Sequence, residues 1–379
     1  MHLCNMWLSR LALMLALFWL GAAELTLPSY YWDGMVFQAD QNQTMIWGFT
    51  TDDTLPVLVT VRCDTKTDSE PVEAVLRAEP KDFKSTKSKA DAFIWEVIYD
   101  EERANGDACI VIIEQGDSAV FLDDAVFGDV WFCSGQNNMH MGMQNIFNAT
   151  EEVANSAGYT NIRMFTANMQ DSSEEQDDLI EGARWDSWDT PDLASRLNPF
   201  SAVCFLFARS MTNRLSPAGE DKRVFGLIHS SWSGNSRIES FMSQDALDAC
   251  NVEPNVESGD GSHNSNSYVW NAMVHPFLRH NIYGVLWYQG IINHIKHIGL
   301  EEVGSIDFIA GEANLNWNRD MYNCTFPQKI MDWRDKWHSN FVPYGFVQLA
   351  NQLSASNGVF VRWHQGGKPI DNKIKFKFA

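Results

Sequence analysis

Residues 126–139 read Val-Phe-Gly-Asp-Val-Trp-Phe-Cys-Ser-Gly-Gln-Asn-Asn-Met. The apolar run over 126–132, rich in β-branched and aromatic residues, predicts a strand, and Cys133-Ser134-Gly135-Gln136 is a small, polar end to it. The figure recurs downstream. Residues 224–228 run into Ser230-Ser231-Trp232-Ser233-Gly234, and residues 282–287 run into Tyr288-Gln289-Gly290. Residues 344–349 are a fourth candidate strand, and helix-like stretches such as 200–214 lie between. Strands alternating with helices predict a parallel sheet covered by helices on both faces. Such sheets bind ligands beyond the carboxyl ends of their strands, where the three polar motifs sit. That placement predicts a hydrolase-type site.

Working outward, residues 24–125 have a different texture. Short β-branched and aromatic segments at 45–47, 57–62, 93–99 and 109–113 are separated by stretches of Gly, Asp, Asn and Lys. No helical period persists, so a β-sandwich-like N-terminal domain is expected at 24–125, followed by an α/β domain at 126–379. Cys63 and Cys109 both fall on strands predicted within the first region and are its only cysteines, which makes them candidates for one disulfide.

Composition sets outer bounds. An apolar fraction of 45% with 15 Trp and 23 Phe excludes wholesale disorder. Twenty-eight basic against 49 acidic residues give a net charge of -21, which argues against binding nucleic acid or an anionic membrane surface. Residues 1–23 carry one charge, Arg10, then an apolar run and Gly21-Ala22-Ala23, the pattern of a secretory signal peptide. The alternative is an uncleaved anchor, for which the run is short against a span of ~20 residues. Secretion or lysosomal delivery would follow. Leaving out Cys4, six cysteines remain, an even number that permits disulfides in an oxidising compartment. There is no CxxC or Cys/His cluster, so neither a metal nor another cofactor is expected. Sequons at Asn42, Asn148 and Asn323 are candidate glycan acceptors.

These motifs, taken in order, resemble the sialate O-acetylesterase family of SGNH-type esterases. The matching stretches are residues 127–139, Ser231-Trp232-Ser233-Gly234 with Ile238-Glu239, Trp270-Asn271-Ala272-Met273, Trp287-Tyr288-Gln289-Gly290, residues 322–327 and Arg362-Trp363-His364-Gln365. Met35-Val36-Phe37-Gln38 and Ile46-Trp47-Gly48-Phe49 match as well. The resemblance implies a three-layer α/β/α hydrolase-like domain and hydrolysis of O-acetyl esters on sialic acids or other sugars. It implies a pocket around Gly135, Gln136, Gly234, Gln289, Glu312 and Asn314. Such chemistry needs an activated hydroxyl, a base and donors for an oxyanion. The family supplies a serine, a histidine with aspartate support, a glycine backbone N–H and an asparagine side chain.

Three departures stand out. Asn137 fills the position where the family has its nucleophilic serine. Ser134 is a poor substitute and is expected to be a hydrogen-bonded turn residue. The family motif Trp-Tyr-Gln-Gly-Glu-x-Asn is divided between residues 287–290 and 312–314 by an insertion at 291–311, for which a retained intron and a true loop both account. Asn314 is preferred over Asn293 as the asparagine of that motif; His294 and His297, in the insertion, are read as solvated. The family's Asp/His segment has no match in residues 366–379, so the sheet is expected to be truncated and the general base missing. His229, His275 and His364 are expected to have ordinary hydrogen-bonded roles rather than to replace it. The expected outcome is an esterase-like chain with impaired catalysis; the alternatives are a non-catalytic extracellular protein that binds O-acetylated sugars or sialoglycans, and a purely structural one.

Overall fold

The computed structural model describes residues 24–39, 44–64, 69–78, 93–99, 106–180, 185–186, 193–215, 223–234, 236–289, 314, 317–337 and 342–347. The signal-peptide residues 1–23, Asn42, Gly290, the insertion at 291–311 with Asn293, His294 and His297, Glu312, and residues 348–379 with His364 lie outside the described residues.

The first strands are β1 (Leu25–Thr26), β2 (Val36–Gln38), β3 (Thr44–Thr50), β4 (Leu58–Cys63), β5 (Val72–Glu73), β6 (Val75–Ala78), β7 (Phe93–Tyr99) and β8 (Cys109–Gln115). An antiparallel sheet runs in the order β1-β3-β7-β6. A second antiparallel ladder joins β5, β4 and β8, and there Cys63 and Cys109 face each other in register and are disulfide-bonded.

The next strand, β9 (Ser118–Gly135), belongs to two systems. Its first part pairs antiparallel with β8, residues 126–128 pair parallel with β2, and residues 129–135 enter the parallel sheet. That sheet is completed by β10 (Ile162–Thr166), β11 (Trp185–Asp186), β12 (Phe225–Ser231), β13 (Gly284–Tyr288) and β14 (Tyr344–Phe346). Its order is β11-β10-β12-β9-β13-β14, parallel except for β11 at the edge. Burial along β9 follows the change of environment. It alternates over its first residues and is continuous from Ala125 to Gly135. A strand with one wet face alternates, and a strand covered on both faces does not.

The helices are α1 (Asn137–His140), α2 (Ala149–Ser156), α3 (Leu193–Leu197), α4 (Ala202–Leu215), α5 (Gln244–Ala249) and α6 (Tyr322–Lys336). Successive strand residues feed opposite faces. Trp131, Cys133, Leu227 and Leu286 pack with Phe205 and Ala208 of α4. Phe132, Ile228, Val285 and Trp287 pack with Phe326, Ile330 and Trp333 of α6. This second cluster also takes in Trp47 and Trp95 from the N-terminal sheet, so apolar packing is continuous from one region to the other. His280 is buried within it, with ring contacts to Tyr30 and Trp185 at 5.7 and 6.4 Å. Burial pushes its imidazole down to about 4. Disulfides Cys133–Cys204 and Cys250–Cys324 tie β9 to α4 and the end of α5 to α6.

Candidate functional site

The carboxyl ends of β9, β12 and β13 lie side by side, with Ser231 and Tyr288 both in register with Gly135. The fit at Gly135 requires glycine. Its φ is +142°, and a Cβ there would stand 2.2 Å from the Tyr288 carbonyl oxygen. The backbone is stitched across the strand ends by Gln136 N–H donating to Tyr288 O at 2.9 Å and Trp232 N–H donating to Gly135 O at 3.0 Å.

On this platform the chain turns at Gln136 into α1, whose first residue is Asn137. From the neighbouring strand end comes Gly234, at φ +104°. Its N–H donates to Asn137 Oδ1 at 2.6 Å, at the exposed rim of the site. Sequence-predicted residues Gly135, Gln136, Asn137 and Gly234 thus meet. Gln136 is fully buried, and neither end of its carboxamide has a hydrogen-bond partner among the described residues. Beside Gly234, the Trp232 and His263 rings stack with centroids 4.9 Å apart, and His263 Nε2 donates to Gly234 O at 3.1 Å. The donor role follows from the carbonyl, which can only accept.

Gln289 and Asn314 form a second set, deeper in the protein. Asn314 Oδ1 accepts from Ile238 N at 3.0 Å and from Gln289 Nε2 at 2.8 Å. Its Nδ2 donates to Glu239 Oε2 at 2.7 Å, while Tyr322 Oη donates to Gln289 Oε1 at 3.0 Å. All four side chains are buried. Burial pushes the Glu239 carboxyl up, and the bond from Asn314 offsets part of that. The Asn314 carboxamide is therefore committed at both ends to this network.

Other candidates resolve into ordinary roles. The expectation of a hydrogen-bonded turn serine at Ser134 gives way to a strand residue: Ser134 lies inside β9, and its buried hydroxyl has no partner among the described residues. His275 Nδ1 bonds the Gln176 carbonyl oxygen at 2.8 Å, as a structural histidine does. His229 Nε2 stands 2.6 Å from Ser231 Oγ, and His140 Nδ1 stands 3.2 Å from the same oxygen. A serine between two imidazoles has the form of an activated nucleophile. Ser231 is only 2% exposed, however. Burial, with His140 adding to it, pushes His229 down to about 3, leaving a neutral ring too weakly basic to activate the hydroxyl. The sequence reading missed the contacts of His140 with Ser231 and of His263 with Gly234, because each joins residues far apart in the chain. Of the described sequons, Asn148 and Asn323 are both exposed. Among the described residues no cluster of three His, Cys, Asp or Glu gathers as a metal site.

No protein-family model matches the chain. A solved structure of a carbohydrate acetylesterase from Xanthomonas citri superposes with a TM-score of 0.65, covering 90% of this chain and 65% of that one. At 22% identity, the likeness shows a shared fold: mixed α/β, of the kind found in a carbohydrate acetylesterase. The particular relatives are the sialate O-acetylesterases. Those of Pongo abelii and Homo sapiens are each 33% identical over 359 residues, and that of Mus musculus is 30% identical over 384. These alignments cover 89% of this chain, which spans 60–63% of the length of the curated relatives it matches.

Proposed function

We propose that the strand-end site recognises O-acetyl groups on sugars, sialic acids among them, and that this chain turns them over poorly. The observation that carries the reading is the position of Asn137. The residue in the family's nucleophile slot stands 2.6 Å from a backbone N–H of the adjacent strand end, Gly234. We read that N–H as the donor for an oxyanion, held beside the position from which the family's nucleophile attacks. On this reading Gly234 supplies the oxyanion donor and Asn137 is a side chain that cannot attack. A carboxamide nitrogen shares its lone pair with the carbonyl and has no acidic proton for a base to take. Losing the nucleophile leaves only what binding and the oxyanion donors supply.

Three disulfides and two exposed sequons among the described residues support maturation in an oxidising compartment of the secretory pathway. The second reading, a non-catalytic extracellular protein that binds acetylated glycans, is favoured by the same asparagine. The purified chain is expected to release 4-nitrophenol from its acetate no faster than a heat-treated control. Turnover well above that control, abolished by Ser231→Ala or Asn137→Ala, would overturn the impairment.

A further inference from the structure

The side chain at position 137 is chemically a tethered acetamide. Its planar carbonyl carries the same sp2 acceptor oxygen as an acetyl ester, on a carbon skeleton of the same size. That oxygen accepts the Gly234 N–H at 2.6 Å, at the exposed rim of the site. Gly234 is held at φ +104°, a backbone setting that favours glycine and fixes where its N–H points. A Cβ on Gly234 would have the His263 ring nitrogen, 3.9 Å away, as its nearest neighbour, so the space over this glycine is open. Gly234 itself is exposed and Asn137 is half-exposed, so solvent and solutes reach both.

We infer that Asn137 is an internal occupant of its own acetyl-binding site: its carboxamide oxygen takes the Gly234 donor that the carbonyl of an incoming acetylated sugar would use. The inference rests on the reading above that this strand-end site takes acetyl groups. It adds that the site is closed by self-recognition as well as lacking a nucleophile. A tethered acceptor competes at a high effective concentration, so an external ester of modest affinity loses the donor to it. Shortening the side chain should therefore improve binding, the reverse of what removing a binding residue does.

The test uses the full chain with selectively 15N-labelled glycine, as wild type, Asn137→Ala and Asn137→Asp. The Gly234 amide should be protected from hydrogen exchange in the wild type, released in Asn137→Ala and protected again in Asn137→Asp, which keeps an acceptor oxygen. Titration with a methyl glycoside carrying one O-acetyl group should then move the Gly234 resonance in Asn137→Ala. Its Kd should be lower by about fivefold or more than in the wild type, the scale of one hydrogen bond. Equal protection of Gly234 in wild type and Asn137→Ala, or equal affinity of the two for the glycoside, would overturn the inference. Release of the amide without glycoside binding in any variant would sustain the self-occupied site and sink the acetyl-group reading instead.

Discussion

The two halves of the strand-end region use the same functional group in opposite ways. At the β9–β12 side, the Asn137 carboxamide makes one short bond to a backbone N–H at the surface. At the β13 side, the Asn314 carboxamide is buried and bonds Ile238, Gln289 and Glu239 together. The difference separates architecture from recognition. A buried amide whose donors and acceptor are all engaged holds elements in register and has nothing left to offer a ligand. A half-exposed amide at the rim, bonded to a backbone N–H, contributes little to the fold and can act on what reaches the site.

The largest effect should come where the halves meet. Gly135→Ala puts a Cβ 2.2 Å from the Tyr288 carbonyl oxygen at a φ of +142°. Strain and overlap of that kind should cost roughly 3 kcal/mol or more, read as loss of soluble protein or a collapsed urea midpoint. A midpoint within error of wild type would show that β9 and β13 do not approach as described.

Next in size is the contrast itself. Asn314→Ala should destabilise by roughly 2–4 kcal/mol, because it strips bonds from buried groups including the Glu239 carboxyl. Asn137→Ala, at the rim, should cost about 1 kcal/mol or less. Equal losses in urea melts would break the distinction between a structural and a recognising amide.

Acid provides a third lever. His229 and His280 are pushed down to about 3 and about 4 by burial, below the ordinary histidine value of 6.5. Between those limits the unfolded chain binds protons that the folded chain does not, so stability is full above pH about 6.5 and falls as pH drops towards 4. Glu239 runs the other way: its raised carboxyl favours the fold at low pH and costs stability as pH rises through its titration. Burial also lowers the His140 imidazole and raises the Asp332 carboxyl. With three imidazoles against two carboxyls, Tm is expected to fall from pH 6.5 to 4. His229→Gln should flatten that slope, and an unchanged slope would remove His229 from the account.

The smallest expected effect sharpens the comparison from the exposed side. Asn137→Ser should leave stability within about 0.5 kcal/mol of wild type, as surface substitutions do. A Tm drop of several degrees would mean that the bond to Gly234 holds the fold as well as the site.

Much of this architecture could be read from the chain, and the reasons are specific. Residues 126–132, 224–228 and 282–287 are apolar at nearly every position, Asp129 excepted, because both sheet faces are covered, and runs of that kind stand out in a sequence. The true start of β9 at Ser118 was hidden, because its first residues alternate in burial and include Asp123 and Asp124. At the site, Asn137 and Gly234 were visible through motif order. The commitment of Asn314 was not, since residue type fixes what an amide can bond and only the fold decides whether Gln289, Ile238 and Glu239 reach it. The triangle of His140, His229 and Ser231 was hidden for the same reason: its members come from two strand ends and become neighbours only through the pairing of β9 with β12.

The division of β9 has a consequence for the order in which the protein can be built. The partner of its first half, β8, directly precedes β9 and emerges from the ribosome just ahead of it, whereas β12 and β13, which flank its second half, have yet to be synthesised. For that interval residues 129–135, buried at every position in the finished sheet, project from the β8–β9 ladder as an open template. The nascent chain is therefore at greatest risk of wrong pairing after β9 is complete and before β12 arrives, a window that a holdase chaperone would be well placed to guard.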